Sequence, residues 1–166
     1  MSLRLGALFQ AMEHSGDGFG SAFGALAGFR SDVPGALDDW LELSGKFTSG
    51  AWNDNFAAFN PISSISQGEI FSGTQGGLAL LEAGYHARMG TVLAGGILRY
   101  FIKTWDDPAT DGKLCGAEIW GKAAWQPFDD LRLGMGAGAF FPGMGNAELY
   151  EGKTQWKLSF DLTLSF

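Results

Sequence analysis

The stretch Trp156-Lys157-Leu158-Ser159-Phe160-Asp161-Leu162-Thr163-Leu164-Ser165-Phe166 decides the fold class. Its even positions are Trp156, Leu158, Phe160, Leu162, Leu164 and Phe166. Its odd positions, with Gln155 before them, are Lys157, Ser159, Asp161, Thr163 and Ser165. A strand sends successive side chains to opposite faces, so a period of two marks a strand with one apolar and one polar side. The run has the roughly 9–11 residues that a tilted strand needs to cross a bilayer.

Working back from this stretch, the same alternation recurs. Leu3, Leu5, Ala7, Phe9 and Ala11 oppose Arg4, Gly6 and Gln10, with Leu8 as a blemish. Phe19, Phe23, Ala25, Ala27 and Phe29 oppose Gly20, Gly24 and Gly28. Leu41, Leu43, Gly45 and Phe47 oppose Glu42, Ser44, Lys46 and Thr48. Ala79, Leu81, Ala83, Tyr85, Ala87 and Met89 oppose Glu82, Gly84, His86 and Arg88. Val92, Ala94, Gly96, Leu98, Tyr100 and Ile102 oppose Arg99 and Lys103. Cys115, Ala117, Ile119, Ala123 and Trp125 oppose Glu118 and Lys122. Leu131, Leu133, Met135, Ala137, Ala139 and Phe141 oppose Arg132, Gly134, Gly136 and Gly138. Helical periodicity is weak, and each glycine inside these runs would cost a helix about 1 kcal/mol.

Short and long connections alternate. Met89-Gly90-Thr91 and Gln126 to Asp130 read as tight turns, and Ser31 to Asp38 as a longer one. His14 to Gly18, Ser49 to Gln75, Thr104 to Gly112 and Gly143 to Thr154 read as long loops. Within the second of these, Ser64 to Phe71 has room for one more short strand. The expectation is an all-β, antiparallel up-and-down transmembrane β-barrel. About eight strands are visible in a single domain over residues 1–166, forming either a closed small barrel or the C-terminal part of a larger one.

Composition agrees with this reading. Of 166 residues, 46% are hydrophobic and only 17% charged, against about 25% charged in a soluble domain. The net charge of -7 makes the chain a poor phosphate-backbone binder, so no nucleic-acid partner is expected. No run of apolar residues reaches the length of a transmembrane helix. The single cysteine, Cys115, excludes an internal disulfide and a multi-cysteine metal centre. It sits on the apolar parity and is expected to face lipid. The opening residues Met1 to Gly6 lack the apolar core of a signal peptide, so either the protein is cytosolic or this is a mature or truncated chain whose start lies elsewhere, such as the C-terminal part of a larger barrel.

Charge separates the two faces. Of eleven basic residues, eight take the polar parity: Arg4, Lys46, Arg88, Arg99, Lys103, Lys122, Arg132 and Lys157. Four carboxylates join them: Glu42, Glu82, Glu118 and Asp161. The polar face is therefore basic in an acidic chain. A soluble barrel would turn that face outward and bind an apolar ligand inside; a membrane barrel inverts the arrangement. Inversion is favoured by apolar faces nearly free of charge. It is also favoured by aromatics near strand ends (Tyr85, Tyr100, Trp105, Trp125, Trp156, Phe166). Glycine and serine on the polar faces leave room for long arginine and lysine chains.

The final strand, with Phe160, Leu162, Leu164 and the closing Phe166 at alternate positions, resembles the terminal strand of bacterial outer-membrane β-barrel proteins. In that family it is an assembly signal read by the barrel-assembly machinery. Asn60 to Ser64 and Leu131 to Gly143 are similar to segments of uncharacterised spirochaete outer-membrane proteins. The resemblance implies an outer-membrane location, with lipid and the assembly machinery as partners and a structural or porin-like transport role. No cofactor or metal is implied.

Glu82, His86, Arg88, Glu118 and Arg132 share a polar face and mimic an acid–base cluster. No serine–histidine–aspartate pattern or metal spacing accompanies them. A network of paired lumen charges explains them better than an outer-membrane enzyme does, so no catalytic residues are assigned. Arg4, Lys46, Glu82, His86, Arg88, Arg99, Lys103, Glu118, Lys122, Arg132, Lys157 and Asp161 are the expected lumen or pore-lining residues. In a narrow barrel they form a salt-bridged core, and in a wider one an anion-favouring pore. Asp106, Asp107 and Asp111 read as a solvated loop, and His14 as a loop residue. Gly134 to Gly138 lacks the following helix of a nucleotide loop.

Overall fold

The computed structural model describes residues 1–14, 18–35, 37–52, 56–61, 65–73, 76–105, 114–143 and 152–165. Eight strands form one antiparallel sheet: β1 (Ser2–His14), β2 (Gly18–Val33), β3 (Asp38–Thr48), β4 (Leu78–Met89), β5 (Val92–Lys103), β6 (Leu114–Phe128), β7 (Leu131–Pro142) and β8 (Gln155–Leu164). Each pairs only with its neighbours in sequence, in the order β1 to β8. This is the expected up-and-down meander, with strand positions as read from parity.

Registers keep the apolar residues on one side from strand to strand. Leu3 pairs with Phe29, Phe29 with Leu43, Leu43 with Ala83, and Ala83 with Leu98. The row continues through Ile119, Ala139 and Trp156. A slip of one residue anywhere would throw charges onto this side, so the alternation itself specifies the register.

The sheet is open. Among the described residues β8 pairs with β7 alone and β1 with β2 alone, and the two edge strands do not touch. The expected closed small barrel is therefore corrected. On the polar side of the sheet part of the β3–β4 connection is folded in, against β3, β6 and β8.

Three local expectations change. His14 ends β1 rather than lying in a loop. Residues 65–71 form no strand; they bend across the sheet. Cys115 leaves the apolar side because the β5–β6 register slips there: Phe101 pairs with Gly116 but Ile102 with Leu114. The unpaired extra residue of such a bulge re-aims its side chain. Gly116 has φ 150°, a conformation that favours glycine. Cys115 is buried with Leu78, Leu80, Phe101 and Phe140. The β4–β5 turn is tight, with Gly90 at φ 60°, as the Met89-Gly90-Thr91 reading expects.

The two sides of the sheet differ in what covers them. On the apolar side, hereafter the bare face, Leu3, Leu5, Phe9, Leu43, Leu81, Leu98, Ile119, Met135, Phe160 and Leu162 are exposed, Leu5 at 72% and Phe160 at 73%. On the polar side, the covered face, Glu118 is 0% exposed and His86 7%. This is the reverse of a water-soluble sheet, whose apolar side is buried. Many aromatic residues on the bare face lie towards the strand ends, while Phe29 and Phe160 lie further in. Phe9, Phe23, Phe47, Tyr100, Phe141 and Trp156 lie towards the long-loop end, and Tyr85 and Trp125 towards the turn end. Trp105 departs from that row: it packs against Gly50 and Gly77 in the loops.

Candidate functional site

The β3–β4 connection builds the site in two parts. Its first part extends the wall. Ser49 N–H donates to the Phe23 carbonyl at 2.8 Å, and Ala57 N–H to that of Ser21 at 3.0 Å. Asn60 N–H donates to Gln10 Oε1 at 2.9 Å, and Gln10 Nε2 donates back to the Asn60 carbonyl at 2.6 Å. Trp52 and Phe56 join Phe23 in an aromatic cluster, with Phe23–Trp52 ring centroids 5.4 Å apart.

The second part, residues 65–73, turns in over the covered face as a strap. Glu118 anchors it. Its Oε1 accepts from Glu69 N–H at 3.0 Å, and its Oε2 from Ile70 N–H at 2.8 Å and Phe71 N–H at 3.0 Å. Successive backbone N–H groups aimed at one anion make a nest, here filled by a side-chain carboxylate. Arg99 donates through Nη1 to Glu118 Oε1 at 2.8 Å and through Nε to Glu82 Oε2 at 2.6 Å. One guanidinium on β5 thus ties β4 to β6. Buried charge is tolerated where every lone pair is used, and both Glu118 oxygens are.

Lysines from distant strands hold the strap. Lys157 of β8 donates through Nζ to the Glu69 carbonyl at 2.6 Å, and Lys46 of β3 to Gln67 Oε1 at 3.4 Å. Phe71 fills the space between Phe101 and Phe140, with ring centroids 4.3 and 5.2 Å away. The strap therefore reaches from β3 to β8 and seals an apolar cluster at the long-loop end of the covered face.

The glycines of β7 serve a different guest from the one expected. A Cβ on Gly136 or Gly138 would collide with the Trp120 ring. The room they leave holds an indole lying against the sheet, and Lys157 Nζ sits 5.7 Å from its centroid. Only near Lys157 does a long basic chain share that space.

The expected lumen residues separate into groups. Glu82, Arg99 and Glu118 meet directly, and Lys46 and Lys157 meet the strap. His86 does not join them: it stacks on Trp40 with centroids 5.0 Å apart, and Arg30 lies 4.3 Å over the same indole. The acid–base cluster is therefore not assembled, since the strap and Arg99 occupy the Glu118 carboxylate. Arg88 and Arg132 line a polar cavity of about 360 Å³ at the turn end, with Gln126 and Asp129. Lys122 is exposed and Lys103 partly so. Arg4 and Asp161 lie on the two edge strands, both exposed. Phe160, Leu162 and Leu164 are exposed on the bare face. Phe166, Ile62 to Ser64, and the loop acids Asp106, Asp107 and Asp111 lie outside the described residues.

Parity alone missed Gln67, Glu69, Ile70 and Phe71 of the strap and their seat on Phe101, Trp120 and Phe140. A signal was present. Leu78, Leu80, Ile97, Phe101, Trp120 and Phe140 are apolar residues at polar parity, and a face turned to open water does not concentrate them.

Comparison with family models, with curated proteins and with solved structures finds no match. What the site does rests on its own geometry.

Proposed function

We propose that the chain forms the wall of a β-barrel in a bacterial outer membrane, with a porin-like transport role. The bare face meets lipid and the covered face lines the lumen. One observation carries this reading: every one of the eight strands exposes at least one large hydrophobic residue on the apolar parity, while a carboxylate on the polar parity is fully buried. Soluble monomers rarely expose more than a few hundred Å² of contiguous apolar surface. Lipid removes that penalty and demands the charge-free band seen here. The aromatics near both strand ends fit the two interfaces. The same observation weighs against a soluble barrel holding an apolar ligand, which needs the opposite inside and outside.

The lumen function follows from charge. Arg4, Arg88, Lys122, Arg132 and Lys157 are exposed on the covered face beside one exposed strand-centre carboxylate, Asp161, whereas Glu118 is buried and Glu82 is tied to Arg99. The accessible wall is therefore basic, and basic pore walls favour anions. The strap narrows the passage at the long-loop end. The Glu118 carboxylate is taken up by the strap and by Arg99, which favours passage over chemistry in this reading.

The test is reconstitution of the refolded chain into planar bilayers across a potassium chloride gradient. The expected result is channels with a reversal potential on the anion side. A folded chain that stays monodisperse in buffer without detergent would overturn the membrane reading. Folded, bilayer-inserted protein without conductance would overturn the transport role.

A further inference from the structure

The turn end of the covered face carries a second group of charges, which the network around Glu118 does not use. Arg88, Arg132, Thr91, Gln126 and Asp129 line a cavity of about 360 Å³ there. Leu93 and the short Ala124 also line it, and in strand order they stand between the two arginines, which come from β4 and β7. The rim is braced by hydrogen bonds. Gln126 N–H donates to the Thr91 carbonyl at 3.0 Å, joining the end of β6 to the β4–β5 turn. Gln126 Nε2 donates to the Asp129 carbonyl at 3.4 Å.

Both arginines are exposed, and neither makes an ion pair or hydrogen bond among the described residues. Carboxylates nevertheless stand close to them in the sheet. Asp38 is the cross-strand partner of Arg88. Asp161, opposite Gly134, is the diagonal neighbour of Arg132, which lies opposite Thr163. Arg99, on the same face, takes both carboxylates beside it. Arg88 and Arg132 take neither of theirs and line the cavity instead.

A guanidinium offers N–H donors in a planar fork that matches the oxygens of phosphate. Two forks at one cavity set two positive charges against the single carboxylate of Asp129. A volume of about 360 Å³ falls at the lower end of the roughly 300–1,000 Å³ typical of ligand pockets, the size for a small molecule. We propose that this cavity binds the phosphate group of a small soluble anion, with Arg88 and Arg132 as its clamp. Asp129 opposes the clamp and keeps binding weak enough for release, as passage requires. Binding rests on the cavity alone. That the anion is cargo rests on the anion-channel reading above, and the test separates the two.

The experiment titrates inorganic phosphate into the chain refolded in a phosphate-free detergent and follows the arginine side-chain NMR signals. Saturable binding is expected. Arg88→Gln or Arg132→Gln, each folded by circular dichroism, should weaken it at least tenfold, and Asp129→Asn should tighten it several-fold. Arg4→Gln, exposed on the same face but outside the cavity, should leave it unchanged. Equal losses for Arg4→Gln would mean that only the general positive field is felt, and would overturn the site. No saturation, or unchanged binding in both cavity variants, would overturn it too. Micelles doped with phosphatidylglycerol test the lipid source: displacement of bound phosphate would keep the phosphate site and overturn the soluble cargo. In planar bilayers, phosphate should block chloride current at the concentration that fills the site, and Arg88→Gln should abolish the block. Binding without block keeps the site and overturns the cargo role. Conductance from a chain that binds no phosphate overturns the site and leaves the channel reading standing.

Discussion

Arg99 reaches Glu118 at 2.8 Å on one side and Glu82 at 2.6 Å on the other, and Glu118 holds the strap by three backbone N–H groups. The burial of Glu118 thus comes from the strap and not from closure of the sheet around it. A dry charge network and an unclosed wall coexist in one chain because a loop, rather than further strands, excludes the water.

Glu118→Ala should be strongly destabilising. It leaves three strap N–H groups without their acceptor and Arg99 without one of its two carboxylates. Removing one partner of a buried pair costs about 3–5 kcal/mol. Urea titration of the lipid-refolded chain measures it, and limited proteolysis should show new cleavage within residues 65–73. Cleavage unchanged from wild type would mean that the strap has another anchor.

Leu162→Arg should cost about 2–4 kcal/mol when folding into liposomes, if its depth is near the bilayer midplane, as expected for the lipid side of a barrel. Thr163→Arg, next to it on the covered face, should be far milder. Equal losses for the two would contradict the assignment of the faces.

Gly138→Ala should destabilise by about 1–3 kcal/mol, because the added methyl meets the Ile119 carbonyl and Trp120. Gly96→Ala, with nothing within 4 Å of its Cβ position, should be neutral or slightly stabilising. Thermal or urea unfolding of the two variants side by side decides it.

Deleting Phe166 should lower the level of the chain in the outer membrane sharply while leaving refolding in detergent nearly unchanged. The terminal aromatic matters to the assembly machinery that the resemblance implies. Normal membrane levels of the shortened chain, measured by fractionation, would count against that signal.

Phe71→Ala should loosen the strap without touching its charges. It removes the ring packed on Phe101 and Phe140, and large-to-small changes of buried aromatics cost about 3–5 kcal/mol; the half-buried Phe71 belongs at or below the lower end. Single-channel conductance should rise as the strap leaves the passage. Unaltered conductance would place the strap outside the permeation path.

Alternation along the chain determined the strands, their order and which side is apolar, because a period of two is a local property that any eight-residue window displays. It also placed Arg99, Glu82 and Glu118 on one face, since parity carries across registered pairs. Parity could not tell that Cys115 would turn inward, because a one-residue bulge at Cys115 itself re-aims the side chain without leaving a break in hydrophobicity. Nor could it place Ile70 and Phe71. A loop has no period, and its path is set by what it meets: the Glu118 carboxylate, and the gap between Phe101 and Phe140. The same limit applies to closure. Nothing in the alternation of β1 or β8 says whether those strands will meet, because parity fixes the face of a strand and not the curvature of the sheet, and only the tertiary structure shows them apart.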